Sequence, residues 1–123
     1  MLEIIFVTVP RLIPVFFLFN DVTDKENYLT LGSQTTDFNF THNAWLNDEG
    51  NVLFTTDEIA NAPVGSYDVS DLNDIQILDL FKPYETLGDG VIPHNVHVWN
   101  DWIIISYYSM GVLLLMVQDQ IIW

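Results

Sequence analysis

The chain has 123 residues, half of them hydrophobic, and a formal net charge of −14, because only Arg11, Lys25 and Lys82 oppose 17 acidic residues. This charge argues against binding to nucleic acids and to anionic membrane surfaces, since both depend on Lys and Arg to neutralise phosphate. There is no cysteine, which excludes disulfides and thiolate metal sites. The apolar and aromatic content indicates a folded, acidic chain of about one domain in length.

The first segment, residues 1–14, is mostly apolar but contains Glu3, Arg11 and two prolines. Two interpretations stay open: a remnant of a signal or anchor, or a strand. A membrane-spanning helix needs about twenty consecutive apolar residues, so we expect no integral membrane span. Residues 15–123 form the second division of the chain, which begins with a predicted buried strand at Val15–Phe19.

Beyond this strand, short apolar or alternating runs between turn residues predict further strands and no helix of useful length. The continuous apolar runs at 103–105 and 112–117 indicate strands covered on both faces. The polar segment Ser33–Phe40 is expected to be a loop, and Asn47–Asn51 a hairpin turn. The further predicted strands are Tyr28–Gly32, His42–Leu46, Val52–Thr56, Ser66–Val69, Ile75–Phe81, Val96–Trp99, Trp102–Tyr107 and Gly111–Val117.

Two phrases of the sequence recur. The Asp-rich turn at 21–24 (Asp-Val-Thr-Asp) returns 47 residues later at 68–71 (Asp-Val-Ser-Asp), and the His-Asn pair at 42–43 returns 52 residues later at 94–95. A strand-rich repeat of this length predicts an all-β fold of antiparallel four-stranded, blade-like meanders, namely a partial β-propeller of about two blades plus a partial one. The alternative is a small sandwich of two sheets. Because closed propellers need about four to eight blades, the expected partners are further blades or copies of the chain.

The repeated turn and the strands around it resemble the LVIVD-repeat β-propellers, and in particular the bacterial surface proteins of the choice-of-anchor B family. The resemblance implies an extracellular or cell-surface module with a binding or scaffold role and no enzymatic activity. Separately, the aromatic faces of Trp45 and Trp99, which recur at nearly matched positions, suit a protein or carbohydrate ligand, and the alternative is core packing between blades. Family repeats commonly place a proline where this chain has Tyr28 and Ile75, and residues 116–119 depart from the turn motif. The segments that carry the resemblance are 18–24, 41–45, 54–58, 67–71, 92–98 and 104–108.

The two repeated histidines are the first candidate site. His42 and His94 open equivalent predicted strands, and Asp57 and Glu58 offer carboxylates nearby in the repeat. Imidazole and carboxylate ligands suit zinc, so these four residues are a candidate metal site. In the alternative interpretation, each His-Asn pair is framework that hydrogen-bonds to the backbone. His97 is expected to face the opposite side of its strand from His94.

The Asp-rich turns are the second candidate site, because their hard oxygen atoms suit calcium. No EF-hand spacing accompanies them, and Asp, Ser and Thr at such positions also cap their own backbone, which would make them the framework of the blade turns. No cofactor other than these candidate Ca²⁺ or Zn²⁺ ions is expected, and no residue is assigned a catalytic role. The turn residues concerned are Asp21, Thr23, Asp24, Asp68, Ser70 and Asp71.

Three hypotheses on function follow from these patterns. The first is the non-enzymatic surface module that the resemblance implies. The second is a metal-dependent, hydrolase-like propeller that uses the histidines if they face the central channel. The third is a truncated, non-functional reading frame, which the altered turn at residues 116–119 would fit.

Overall fold

A computed structural model describes residues 16–83 and 88–117 in full, together with the backbone of residues 2–7, 118 and 121–122. This part of the chain is built from β-strands joined by turns and contains no helix. Consequently, no helix among these residues is long and apolar enough to cross a membrane. The prediction of an all-β fold with antiparallel sheets is confirmed.

The strands form three sheets in chain order, which we call sheets 1, 2 and 3. Sheet 1 contains β1 to β3, sheet 2 contains β4 to β7, and sheet 3 contains β8 to β11, with neighbouring strands antiparallel throughout. The strands are β1 (Leu2–Val7), β2 (Phe16–Asp21), β3 (Leu29–Thr35), β4 (Thr41–Leu46), β5 (Val52–Asp57), β6 (Val64–Asp68), β7 (Gln76–Phe81), β8 (Ile92–Trp99), β9 (Trp102–Tyr108), β10 (Gly111–Gln118) and β11 (Ile121–Ile122).

The repeat in the sequence is also a repeat in strand register. Phe17 pairs with Gln34 between β2 and β3, and 47 residues later Val64 pairs with Phe81 between β6 and β7. The remaining pairs of β6 with β7 follow the same offset, and both pairings contain an irregularity at the corresponding step. The pairing of β2 with β3 and the pairing of β6 with β7 are therefore two copies of the same hydrogen-bonding pattern.

Sheets 2 and 3 repeat each other in the same way. Trp45 pairs with Phe54 between β4 and β5, and the corresponding pair between β8 and β9 is His97 with Ile104. The hairpin turn of sheet 3 is two residues shorter, so β4 and β8 are related by 52 residues but β5 and β9 by 50. These offsets define which residues of the two sheets are equivalent.

Sheet 2 lies between the other two sheets, and every residue of β5 is buried. Successive side chains of a strand point to opposite faces, so β5 contributes to two separate hydrophobic clusters. Leu53 packs with residues of sheet 1, whereas Val52 and Phe54 pack with residues of sheet 3. The other buried members of the Leu53 cluster are Phe17, Phe19, Tyr67 and Val69. The other buried members of the cluster that contains Val52 and Phe54 are Val64, Val96, Val98, Ile103, Ile105, Tyr107 and Leu115.

Two expectations about individual strands are wrong. The loop expected at Ser33–Phe40 begins later, because β3 extends to Thr35, whereas residues 36–39 lie outside any strand as expected. The continuous apolar run of β10 is not covered on both faces by the described residues: Leu115 is buried, but Val112 is 70% exposed and Leu114 is 55% exposed. A continuous apolar run shows that both faces of a strand are suited to burial. Whether both faces are buried depends on the presence of a neighbouring sheet on each side.

Candidate functional site

His42 and His94 occupy the same irregularity in two sheets. The register of β4 against β5 shifts at His42, and the register of β8 against β9 shifts at His94. An extra residue of this kind leaves the regular ladder and re-aims its side chain. The residue before each histidine, Thr41 or Pro93, is buried, whereas the two histidines are partly exposed.

The strands that carry these histidines contact each other, which brings equivalent residues together. The amide N–H of Val96 in β8 donates to Oδ1 of Asn43 in β4 at 2.8 Å, and the hydroxyl of Thr56 donates to the carbonyl oxygen of His94 at 2.6 Å. The imidazole rings of His42 and His94 stack, with 4.4 Å between centroids and 26° between planes. Asn43 thus links two sheets, rather than a loop to its own strand.

A carboxylate lies against both imidazoles. Oε2 of Glu58 is 3.3 Å from Nδ1 of His42, and its Oε1 is 3.8 Å from Nε2 of His94. The hydroxyl of Tyr108 donates to Oε1 of Glu58 at 2.9 Å, which raises the pKa of Tyr108 because the neutral phenol is the donor. The ring of Tyr108 also lies 4.9 Å from that of His94, so the four side chains form one group, which we call the histidine cluster.

Three members of the histidine cluster have the donor atoms of a metal site. One ligand atom each of His42, Glu58 and His94 can be chosen so that all three lie within 4.8 Å of one another. Their side chains are about 30% exposed, between 28% and 32%. The set combines two imidazoles with one carboxylate, a combination that binds zinc and other borderline divalent ions and that leaves coordination positions for water or a ligand.

Asp57, the fourth residue of the candidate metal site, points elsewhere. Its side chain is buried, and Oδ2 accepts a hydrogen bond from the amide of Phe38 at 2.8 Å. Burial raises the pKa of this carboxyl, although the contacts with Thr36, Phe38 and Phe40 oppose the shift. Asp57 is the last residue of β5 and its side chain is buried against Phe38, whereas Glu58 follows the end of the strand and its carboxylate reaches the histidines.

His97 lies outside the histidine cluster. Its ring contacts Trp45, with 4.6 Å between centroids, and Trp45 is the residue of β4 equivalent to His97 in β8. Tyr108 was missed by the sequence reasoning, although a signal existed: it is the residue of sheet 3 equivalent to Glu58 in sheet 2. Contact between equivalent strands therefore also brings Tyr108 and Glu58 together.

The Asp-rich turns hydrogen-bond to their own backbone. Oδ1 of Asp21 accepts from the amide of Thr23 at 2.9 Å, and Oδ1 of Asp68 accepts from that of Ser70 at 2.9 Å. Asp24 and Asp71 accept from amides two residues further on in the same manner. Hydrogen bonds from the side chains of Thr23, Asn27 and Ser70, together with these amide bonds, lower the pKa of Asp21, Asp24 and Asp68 respectively, because hydrogen bonds to a carboxylate favour its charged form.

No protein-family model matches the chain, and no curated protein or solved structure matches it. What the chain does must therefore be inferred from its own residues and geometry. The histidine cluster is the place where the repeated sequence, the sheet contact and the metal-ligating side chains coincide.

Proposed function

We propose that the chain is part of a β-propeller that serves as a non-enzymatic binding or scaffold module at the cell surface. The observation that carries this proposal is the contact of β4 with β8, the first strands of two equivalent four-stranded meanders. In a propeller the sheets are arranged radially, so equivalent strands of neighbouring blades lie side by side. The stacked pairs His42–His94 and Trp45–His97 each join equivalent residues, as this arrangement requires.

The distribution of exposed apolar side chains supports a role in association. The face of sheet 3 that points away from sheet 2 presents Val112, Leu114 and Met116, which are 70%, 55% and 48% exposed. The equivalent face of sheet 2 is covered by sheet 3, through Val64 among others. A further blade, or a sheet from a second copy of the chain, would bury this open face in the same way.

Sedimentation velocity of the purified chain tests the propeller assignment. We expect the wild type to associate through the open face, and Leu114→Asp to shift it towards the monomer because a carboxylate resists burial. Tyr28→Asp is the matched control, since Tyr28 is 60% exposed and lies outside the three sheets. A wild type that remains monomeric at all concentrations contradicts the proposal, as does equal dissociation by the control substitution.

The proposed location has its own test. When an external protease is added to intact cells that produce the chain, we expect the chain to be degraded and a cytoplasmic marker to remain intact. Retention of the chain in intact cells and its loss only after lysis would overturn the surface assignment.

A metal-dependent, hydrolase-like activity is the second candidate function. One observation favours it: two imidazole nitrogens and the Glu58 carboxylate converge at a partly exposed site. A metal held there by three protein ligands would have a position open for an activated water. Zinc-loaded protein that hydrolyses neither ester nor phosphate substrates faster than the His42→Ala variant would contradict this candidate.

A further inference from the structure

We infer that the histidine cluster binds one divalent transition-metal ion, with His42, Glu58 and His94 as ligands and Tyr108 as the residue that positions the carboxylate. The inference goes beyond the surface role, because it depends only on the contact of sheets 2 and 3. A metal bound there would join the two sheets, since His42 and Glu58 belong to sheet 2 and His94 to sheet 3.

The distances fit a tetrahedral ion. With metal–nitrogen and metal–oxygen bonds of about 2.0–2.2 Å, two ligand atoms of one zinc ion lie about 3.4 Å apart. Oε2 of Glu58 lies 3.3 Å from Nδ1 of His42, which is close to that spacing, and one ligand atom from each of His42, Glu58 and His94 can be chosen so that all three lie within 4.8 Å of one another. The Glu58–His42 pair thus already has the spacing that an ion requires, and the imidazole of His94 is near enough to complete the site by a side-chain rotation.

The side chain of Glu58 is already oriented. Tyr108 donates to Oε1 at 2.9 Å, and such a donor behind a ligating carboxylate is typical of metal sites, where it fixes the orientation of the ligand. The hydrogen bond uses one lone pair of Oε1 and leaves Oε2 for coordination. Tyr108 therefore acts through Glu58 and is not itself a ligand.

The two imidazoles must rotate when the ion binds. The stacked rings are only 26° from parallel and their centroids are 4.4 Å apart, so their nitrogen lone pairs lie in nearly parallel, separated planes, whereas a shared ion requires lone pairs that converge. The side chains are about 30% exposed, so rotation has space on the solvent side. Because both histidines lie at register shifts, their rings are not held in the regular side-chain alternation of the strand.

The charge of the chain favours a cation at this position. The net charge is −14, and within the cluster one carboxylate faces two imidazoles that bind metal in their neutral form. Neutral ligands of this kind select a borderline ion such as Zn²⁺ or Co²⁺ rather than Ca²⁺, which prefers six to eight oxygen atoms. The chemical class of the ion follows from the donor set.

Calorimetric titration of the metal-free full chain with Zn²⁺ tests the inference, and Co²⁺ absorption in the visible range reports the coordination geometry. We expect one ion per chain for the wild type and loss of that binding in His42→Ala, His94→Ala and Glu58→Gln. His97→Ala is the matched control, because His97 is the third histidine of the chain and lies outside the cluster. It should bind Zn²⁺ as the wild type does.

Tyr108→Phe distinguishes positioning from ligation. It retains the aromatic ring and removes only the donor to Glu58, so we expect a 10- to 100-fold weaker affinity, roughly the usual effect of losing a group behind a ligand. The Co²⁺ spectrum should keep its shape, since the three ligands are unchanged. A Tyr108→Phe variant with a different spectrum would show that the phenol oxygen ligates, which would overturn its assigned role.

Variants that fail to bind must still be folded, and circular dichroism in the presence of a chelator checks this directly. The Glu58→Gln variant is the most informative, because its side chain has nearly the same shape and keeps an oxygen acceptor for Tyr108. Wild-type protein that binds no Zn²⁺, or that binds it as well after His42→Ala and His94→Ala, overturns the inference. Sedimentation in chelator is independent of both results, so failure of the metal site and failure of the propeller assignment are distinguishable.

Discussion

Sheets 2 and 3 have the same strand order, and their first three strands have the same register, but the two sheets differ in what covers them. Val64 in β6 is completely buried, whereas Val112, its equivalent in β10, is 70% exposed. Phe54 in β5 is 1% exposed, and its equivalent Ile104 is only partly buried. The residues are apolar in both sheets, so burial here is a property of the neighbouring sheet and not of the strand.

The two sheets also differ in how much they contribute to the hydrophobic clusters. Among the side chains that the structure describes, those of sheet 2 contribute to both hydrophobic clusters, whereas those of sheet 3 contribute to one. Because burial of apolar surface is the main favourable term in folding, identical substitutions should cost more in sheet 2 than in sheet 3.

The largest difference is expected for a charge placed at the equivalent valines. Val64→Asp should lower the free energy of unfolding by about 4 kcal/mol or more, because it buries an unpaired carboxylate, whereas Val112→Asp should change it by less than about 0.5 kcal/mol. Urea denaturation measured at low protein concentration, where association is weakest, gives both values. Equal losses for the two variants would mean that Val112 is covered in solution.

A smaller effect is expected at Gly65, where β10 of sheet 3 has Leu113. A Cβ atom at Gly65 would come 2.7 Å from Cε2 of Tyr67, and Tyr67 is fully buried. Gly65→Ala should therefore lower the free energy of unfolding by about 1–3 kcal/mol through overpacking. Thermal or urea denaturation measures the loss.

The sequence of sheet 3 supplies the control for Gly65. The residue equivalent to Tyr67 there is Leu115, which has no ring to lie over Leu113, two positions earlier on the same face of the strand. In the Tyr67→Leu background, Gly65→Ala should cost less than in the wild type, and the double-mutant cycle gives the coupling. Additive losses would show that the tyrosine ring is not the cause.

The smallest effect concerns the Asp-rich turn, which sheet 2 has and sheet 3 lacks, since Met116 is the equivalent of Asp68. The hydroxyl and amide of Ser70 hold the pKa of Asp68 below its ordinary value. A carboxyl with a lowered pKa stabilises the folded chain above its unfolded pKa of about 4, and this contribution is lost as the pH falls through the folded value. Asp68→Met should therefore lower the free energy of unfolding at pH 7 slightly.

Denaturation measured as a function of pH checks that the stabilisation by the Asp68 carboxylate is lost at low pH. The difference between the wild type and Asp68→Met should shrink as the pH falls from about 5 to about 2, because the wild-type carboxyl becomes protonated. Asp48→Asn, in an exposed hairpin turn, is the control for removing one surface carboxylate from the chain. A difference that stays constant down to pH 2 would show that the turn does not depend on the carboxylate charge.

Much of the fold could be predicted from local patterns. The Asp-rich turns and the hairpin at Asn47–Asn51 separate the strands correctly, because turn residues act within a few positions of the chain. Local patterns predict the ends of the strands less well. β3 continues to Thr35 through polar residues, because its hydrogen-bonded pairing with β2 outweighs the polar composition of that segment. The pairing of Glu58 rather than Asp57 with the histidines could not be predicted, because it depends on where β5 ends and which face each carboxylate takes.

Composition, spacing and turn chemistry by themselves determined that this chain is acidic, rich in strands and internally repeated, because those properties act over distances of a few residues. Only the tertiary structure decided that His42 meets His94, that Tyr108 supports Glu58, and that one face of β10 is open. These outcomes depend on register shifts and on contact between whole sheets, where residues about 50 positions apart in the chain become neighbours.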